Sequence, residues 1–109
     1  MTVNELAERL NLNKIALPDG DREVEGVYIG DLLSWVMGRA QSGNAWITIM
    51  SNLNIVAVAT LADVSCIILA EGVTLDAQVM QTAEAKDVNI LSTDKTAYEV
   101  AVALAGLGS

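Results

Sequence analysis

The chain offers few side chains that could carry out acid–base, nucleophilic or metal chemistry. It contains no histidine, so it lacks the usual general base at neutral pH and the commonest metal ligand. Its single cysteine, Cys66, lies in a run of apolar residues, which predicts a buried structural thiol. Carboxylates such as Asp21, Asp31 and Glu71 show no spacing that implies acid–base work. The sequence therefore predicts a protein that is not an enzyme.

Metal binding has equally little support. Asp19, Asp21, Glu23 and Glu25 form an alternating acidic run. Such a run could collect Ca²⁺ weakly, but it lacks the loop length and ligand order of an EF-hand. A solvated strand face is the better interpretation, and we expect neither a metal nor a cofactor.

Asp21 and Arg22 are the first candidates for binding. The Arg22 guanidinium could hold a phosphate or a carboxylate through two hydrogen bonds, with Asp21 orienting it. The alternative is a turn residue beside a surface ion pair of little energetic weight. For a role beyond local structure, interface or fold support is favoured over catalysis.

Polar side chains also follow each of three predicted parallel strands. These candidate ligand contacts are Ser51, Asn52 and Asn54, then Glu71, Gly72 and Thr74, and finally Ser92, Thr93 and Thr96. Loops after parallel strands emerge at one edge of the sheet, where open α/β sheets bind ligands. Two of them lead into helix N-termini, which attract anions. The pattern predicts contacts to a phosphate-bearing small molecule, although the same residue types serve as ordinary helix caps.

Composition and charge exclude several classes of protein. The net charge of −8 would repel a phosphate backbone, so nucleic-acid binding is not expected. Apolar residues make up 52% and aromatic residues 4% of the chain, which predicts an aliphatic core in a single domain over residues 1–109. No stretch is typical of a signal peptide or a membrane span, and the lone cysteine suits a reducing, cytoplasmic setting.

The first half of the chain predicts short elements around a turn. A capping box at Thr2 and Glu5 begins a helix over about Val3 to Leu10, and Lys14 to Leu17 forms a strand. Pro18-Asp19-Gly20 is a turn, and a strand runs over about Val24 to Ile29.

A short amphipathic helix should follow this strand. Asp31 is its expected N-cap. Leu32, Leu33, Val36 and Met37 form an apolar stripe with Trp35, for which core or dimer packing is expected. Tyr28 and Trp35 could alternatively form an aromatic face for a base or a partner.

The second half repeats strand and helix three times. Strands are expected at Ala45 to Met50, Cys66 to Ala70 and Val88 to Leu91. Helices are expected over Ile55 to Ala62, from Leu75 or Asp76 to Lys86, and through Ala97 to Leu104, with fraying from Gly106 to Ser109. Residues 55–62 have strand-like Val and Ile content, but parallel strands need a crossover, so helix is favoured. The fold class is α/β, a three-layer, mostly parallel sheet of four to five strands with helices on both faces.

The segment Asp21 to Ser34 (DREVEGVYIGDLLS) resembles the DRTGG domain family. In that family, Asp-Arg, two variable residues and Thr-Gly-Gly precede an aromatic residue and an Asp-Leu-Leu-Ser tail. The strand before Glu71-Gly72 and the turn at residues 90–93 are similar as well, so the resemblance covers nearly the whole chain. Glu25 and Val27 replace the Thr and the second Gly, which implies that no positive φ is needed at Val27.

The resemblance implies a regulatory role. Such domains are similar to the N-terminal domain of HPr kinase/phosphorylase, tend to pair, and accompany CBS modules, pyrophosphatases and phosphotransacetylases. We therefore expect a non-catalytic module, a homodimer that senses a nucleotide or another phosphate-bearing metabolite. The alternative is a dimerisation or interaction module without a small-molecule ligand.

Overall fold

The computed structural model describes residues 1–107, which form a five-stranded sheet between two layers of helices. The helices are α1 (Val3–Arg9), α2 (Leu33–Arg39), α3 (Asn54–Ala62), α4 (Ala77–Ala85) and α5 (Ala97–Leu107). The strands are β1 (Asn13–Ala16), β2 (Val27–Ile29), β3 (Ala45–Thr48), β4 (Cys66–Leu69) and β5 (Ile90–Ser92). The predicted three-layer α/β class is confirmed.

The strand order is β1-β5-β4-β3-β2. β2, β3, β4 and β5 are parallel, and β1 joins β5 as an antiparallel edge strand. The carboxyl ends of the four parallel strands therefore lie along one edge of the sheet, which we call the carboxyl edge. The opposite edge, where these strands begin, is the amino edge.

Alternation along the strands divides the core into two halves. Trp46, Ile67 and Ile90 face α2, α3 and α4 on one side of the sheet. Ile47 and Ile68 face α1 and α5 on the other. All five side chains are fully buried, so the central strands are covered on both faces, as parallel sheets require.

Helix caps form where the sequence predicts them at α1. The Thr2 hydroxyl accepts a hydrogen bond from the Glu5 amide at 3.1 Å, and the Glu5 carboxylate accepts one from the Thr2 amide at 3.0 Å. Thr96 and Glu99 make the same reciprocal pair before α5. Each capping box satisfies backbone donors that the first turn leaves unpaired.

The segment over residues 55–62 is helical, as the crossover argument predicts. Ile55, Val56, Val58 and Ala59 of α3 are all buried. Burial of the β-branched side chains against the sheet outweighs their modest preference for extended backbone.

Two details differ from expectation. β2 is shorter than the predicted Val24 to Ile29, because Gly26 has a φ of +88°, outside the extended region. Gly106 and Leu107 belong to α5, whereas Ser109, also expected to fray, lies outside the described residues. Within residues 1–107 the longest helix has 11 residues, and no helix is long and apolar enough to cross a membrane.

Candidate functional site

The carboxyl edge brings together two of the three predicted loops. The Gly72 amide donates to the Thr93 carbonyl at 2.9 Å, and the Glu71 amide donates to the Lys95 carbonyl at 2.8 Å. Glu71 and Gly72 have φ values of +60° and +73°, and a Cβ at Gly72 would lie 3.2 Å from an Asp94 carboxylate oxygen. The left-handed backbone at residues 71–72 thus fits the β4 loop against the β5 loop.

The remaining loop lies at the same edge, after β3. The Asn52 side-chain oxygen accepts from the Asn54 amide at 2.9 Å, and the Asn52 carbonyl accepts from the Ile55 amide at 3.2 Å. These bonds form the entry to α3. Ser51 precedes this turn and is half-buried, whereas Asn52 and Asn54 are exposed.

Asp31 contributes to the carboxyl edge in a way that the sequence analysis missed. Its Oδ1 atom accepts from the Thr48 hydroxyl at 2.8 Å and from the Ile49 amide at 3.0 Å. The predicted N-cap role is wrong, because Leu32 occupies the cap position of α2 and no side chain caps it. The carboxylate is instead used to hold the end of β3 beside the end of β2.

A polar groove lies where the β5 loop meets the turn between α1 and β1. Its volume is about 270 Å³. Its lining comprises Leu10, Asn11, Asn13, Thr93, Asp94 and Lys95. Thr93 is the one predicted site residue in this lining, and its hydroxyl already accepts from the Lys95 amide at 3.2 Å. Ser92 is buried beside it in β5, opposite Asn13 of β1.

The charge of the carboxyl edge is mixed. Asp31, Glu71 and Asp94 are acidic, and Lys95 is basic. Hydroxyl, amide and ammonium groups in the groove can donate hydrogen bonds to a polar ligand. In this lining, the Thr93 hydroxyl has the Lys95 amide as its hydrogen-bond partner and is not paired with a general base.

Asp21 and Arg22 lie at the amino edge, away from the three loops. Arg22 Nη2 donates to the Asp63 carbonyl at 2.7 Å and contacts the Asp63 carboxylate at 3.0 Å. Asp63 ends α3 with a φ of +58°. A cation that bonds the last carbonyls of a helix stabilises its C-terminus. Asp21 accepts a bond from the Asn4 amide group at 3.3 Å.

The Asp63 carboxylate is held ionised by its neighbours. The hydrogen bond donated by the Ser42 hydroxyl is the main cause that lowers the pKa of Asp63, and Arg22 lowers this pKa further. The structure therefore gives Arg22 a structural contact, and it separates the Asp-Arg pair from the predicted ligand loops.

Two buried asparagines at the amino edge were also missed. The Asn89 side chain accepts from the Asp19 amide at 2.9 Å and donates to the Asp19 and Ser65 carbonyls at 2.8 and 2.9 Å. The Asn44 side chain donates to the Glu25 carbonyl at 2.8 Å. Asn44 directly precedes the strand predicted from Ala45, and Asn89 is the second residue of the strand predicted from Val88, which was the one available signal.

The catalytic chemistry of the described residues is limited. Cys66 is fully buried, and loss of solvation raises the pKa of its thiol to about 12, so the buried-thiol prediction is confirmed. Residues 1–107 contain no cluster of three or more Cys, Asp or Glu side chains that could hold a metal ion.

Exposed apolar side chains form a surface at the β2 end of the sheet, where those of β2 project from the α5 face and those of α2 lie on the opposite face. It consists of Val27, Ile29, Leu32, Trp35 and Met37, whose exposed fractions lie between 42% and 59%. We call these five residues the β2–α2 surface. The Arg39 guanidinium lies 3.7 Å from the centre of the Trp35 ring, in a cation–π contact. Core packing is therefore wrong for Trp35, and dimer packing stays a prediction.

The family model for the DRTGG domain matches residues 5–107 of this sequence. The chain belongs to the DRTGG family. In this DRTGG domain, Gly26 is the retained glycine of the motif, and a Cβ there would lie 3.0 Å from the Asn44 side-chain nitrogen. Val27, at the second glycine position, has no positive φ, as the substitution implied.

No curated protein sequence matches this DRTGG domain. Among solved structures, it is similar to the CBS and DRTGG domains of the regulatory region of Clostridium perfringens pyrophosphatase, which was solved with its activator, diadenosine tetraphosphate. The TM-score is 0.71 at 13% identity, over 92% of this chain and 44% of that one. The chain thus spans less than half of that relative, and the likeness shows the shared fold.

Proposed function

We propose that this DRTGG domain is a non-catalytic regulatory module that forms a homodimer and senses a nucleotide or another phosphate-bearing metabolite. The observation that carries the proposal is the β2–α2 surface. Large side chains that stay half exposed along one strand and helix are typical of surfaces that a partner covers. A reducing cytoplasm would suit the unpaired, buried Cys66.

The ligand part of the proposal is supported by the groove beside Thr93. Asn11, Asn13 and Lys95 supply amide and ammonium donors to a space of about 270 Å³. Such donors suit the oxygen atoms of a phosphate group. The pyrophosphatase relative was solved with a dinucleotide activator, which makes nucleotides the first compounds to test.

The proposed test is a thermal-shift scan against nucleotides, nucleotide sugars and phosphorylated metabolites, with the mass in solution measured on the same sample. A ligand present at about 100 times its Kd should add roughly 2.7 kcal/mol and raise Tm by several degrees. Lys95→Gln should reduce the shift, while Lys86→Gln, at the amino edge, should not. A panel without any shift would contradict ligand sensing.

A second candidate function is an interaction module without a small-molecule ligand. It is favoured by the acidic residues Asp31, Glu71 and Asp94 at the carboxyl edge, which oppose the binding of anions. A stable dimer together with a flat ligand panel would favour this function over the first.

A further inference from the structure

We propose that two copies of this chain join through β2, as antiparallel edge strands related by a two-fold axis at Tyr28, to form one continuous sheet. This inference rests on the homodimer of the proposed function and specifies its contact surface and register.

The backbone groups of Val27 and Ile29 point away from the sheet. The Gly26 carbonyl accepts from the Ala45 amide at 2.9 Å, and the Gly30 amide donates to the Ile47 carbonyl at 3.2 Å. Both contacts face β3. In a strand, the backbone N–H and C=O groups of successive residues point to opposite sides in the plane of the sheet. Those of Tyr28 therefore also point toward β3, and those of Val27 and Ile29 point outward. Within residues 1–107 these outward groups have no partner strand, since β2 ends the sheet.

The outward backbone groups of β2 can form hydrogen bonds with the same groups of a second copy. In an antiparallel pair centred on Tyr28, Val27 of one copy lies opposite Ile29 of the second copy, and the reverse pair follows by symmetry. Residues whose amide and carbonyl groups both face the neighbour form the hydrogen-bonded pairs of such a ladder. Tyr28 then occupies the non-hydrogen-bonded position on the axis, which agrees with its bonds to β3. The same patch is thus used by both copies, as a two-fold interface requires.

The charge around β2 favours a second copy as the occupant. Each chain carries a net charge of −8, so most of its surface repels another copy. Residues 27–39 contain one acidic residue, Asp31, and one basic residue, Arg39, and therefore have no net charge. Asp31 is also bound to the Thr48 hydroxyl and the Ile49 amide. This segment therefore adds no net repulsion when two copies approach each other.

The helix beside β2 enlarges the apolar contact. α2 packs against α3 on one side of the sheet and is the outermost helix at the β2 end. It adds Leu32, Trp35 and Met37 to the apolar side chains of the strand. A standard interface buries about 800 Å² per partner. That is about one seventh of the 5686 Å² surface of this chain.

A cysteine at the two-fold axis tests the register directly. In the proposed pair, the Cα atoms of the two Tyr28 residues lie roughly 4.5 Å apart. This spacing lies within the range of roughly 4.4–6.8 Å that disulfides span. Tyr28→Cys should therefore give a covalent dimer under mild oxidation. The native Cys66 is buried and should not react, and Val102→Cys, on the exposed side of α5, is the matched control.

A proline in β2 tests the edge without a new thiol. The Ile29 amide faces outward, so Ile29→Pro removes no bond to β3 but blocks the added strand. The variant should keep its circular dichroism spectrum and sediment as a monomer at concentrations where the native chain and Ile29→Val are dimers.

The outcomes separate this inference from the broader proposal. A native dimer that neither cross-links through Tyr28→Cys nor dissociates in Ile29→Pro would overturn the β2 interface and leave the homodimer standing. A native chain that remains a monomer at all concentrations would overturn both. A ligand-induced thermal shift tests ligand sensing and does not depend on either result.

Discussion

The two edge strands of the sheet, β1 and β2, differ in how they meet solvent. β1, at one edge, carries Lys14, and its register with β5 shifts between Lys14 and Ala16. β2, at the other edge, is the uncharged segment Val27–Ile29 in unbroken register with β3. Charges and irregular pairing protect an edge against addition of another strand, whereas a regular apolar edge permits it. The sheet is therefore closed to a further strand at β1 and open to one at β2.

The neighbouring helices show the same difference. α4 contacts β1, and the Glu84 carboxylate of this helix accepts from the Leu17 amide at 3.4 Å. α2, next to β2, instead exposes Trp35 with Arg39 stacked on it. Trp and Arg are enriched among the residues that dominate binding at protein interfaces. Closure at β1 and exposure at β2 therefore extend to the helices beside these two strands.

The largest expected effect on the dimer Kd comes from placing a lysine on β2, as β1 has at Lys14. Ile29→Lys places an unpaired charge at the proposed interface twice, once in each copy. We expect the dimer Kd to rise by about 100-fold or more, or roughly 2.7 kcal/mol. Sedimentation velocity measures this change. Leu61→Lys, at a side chain that is 70% exposed on α3, is the control and should leave Kd unchanged.

A smaller effect should follow loss of the exposed aromatic ring on α2. Trp35→Ala removes a large apolar side chain and its stack with Arg39 from the β2–α2 surface. We expect Kd to rise by about tenfold, with Tm of the monomer nearly unchanged because the ring is exposed. Tyr98→Ala, at an exposed ring on α5, is the matched control, and an equal effect there would place the interface elsewhere.

A third variant changes stability while both edge strands, β1 and β2, stay intact. Arg22→Gln removes the cation from the end of α3, which should lower the free energy of unfolding by about 0.5–1 kcal/mol. The dimer Kd, corrected for unfolded chain, should not change. Urea titrations followed by circular dichroism measure the loss, and a shift in Kd of the size expected for Trp35→Ala would contradict the separation of the two sites.

The same variant has an expected pH dependence. The pKa of Asp63 is lower in the folded chain than in the unfolded chain, so the ionised carboxylate stabilises the folded state. This stabilisation is fully present above the pKa of the unfolded chain and is lost as pH falls through the pKa of the folded chain. Arg22→Gln weakens the effect. The native chain should therefore lose more stability than the variant between pH 7 and pH 3. Glu5, Glu8 and Glu99 also have lowered pKa values, and they contribute equally to both proteins.

The smallest effect is expected from removing the charge on β1. Lys14→Val breaks an exposed ion pair with Glu8, which contributes less than about 0.5 kcal/mol. The register shift in β1 remains, so this edge should stay closed and the dimer Kd should not change. New, concentration-dependent oligomers in light scattering would show that Lys14 alone protects the edge.

The sequence predicted the fold well because the fold follows from patterns that adjacent residues share. Three apolar strands with intervening segments require crossovers, and this requirement decided correctly for helix at residues 55–62. Capping pairs such as Thr2 and Glu5 are local, so they could be predicted as well. Strand limits were less accurate, since the positive φ at Gly26 that shortens β2 lies next to Glu25, whose carbonyl accepts from the side chain of Asn44, a residue from another part of the chain.

The candidate site was predicted in part, for a physical reason. Parallel topology places the three loops at one edge, and the structure has them there. The sequence could not indicate that Arg22 lies at the amino edge against Asp63, since these residues are distant in sequence. Asp31 is of a residue type favoured at N-caps, but Leu32 takes the cap position and the Asp31 carboxylate bonds Thr48 and Ile49 instead. Tertiary partners of this kind leave no local signal.

The segment that leads into β2 is fixed at several points before any partner arrives. Asn89 holds Asp19, Arg22 holds the end of α3, and the Glu25 amide donates to the Gly43 carbonyl at 2.7 Å. A strand anchored in this way is preorganised, so little conformational entropy remains to be lost when a second strand is added. The amides of Asp19 and Glu25 should accordingly exchange slowly with deuterium although they lie outside the strands, and an edge ready to associate would be kept rigid by contacts far from the interface.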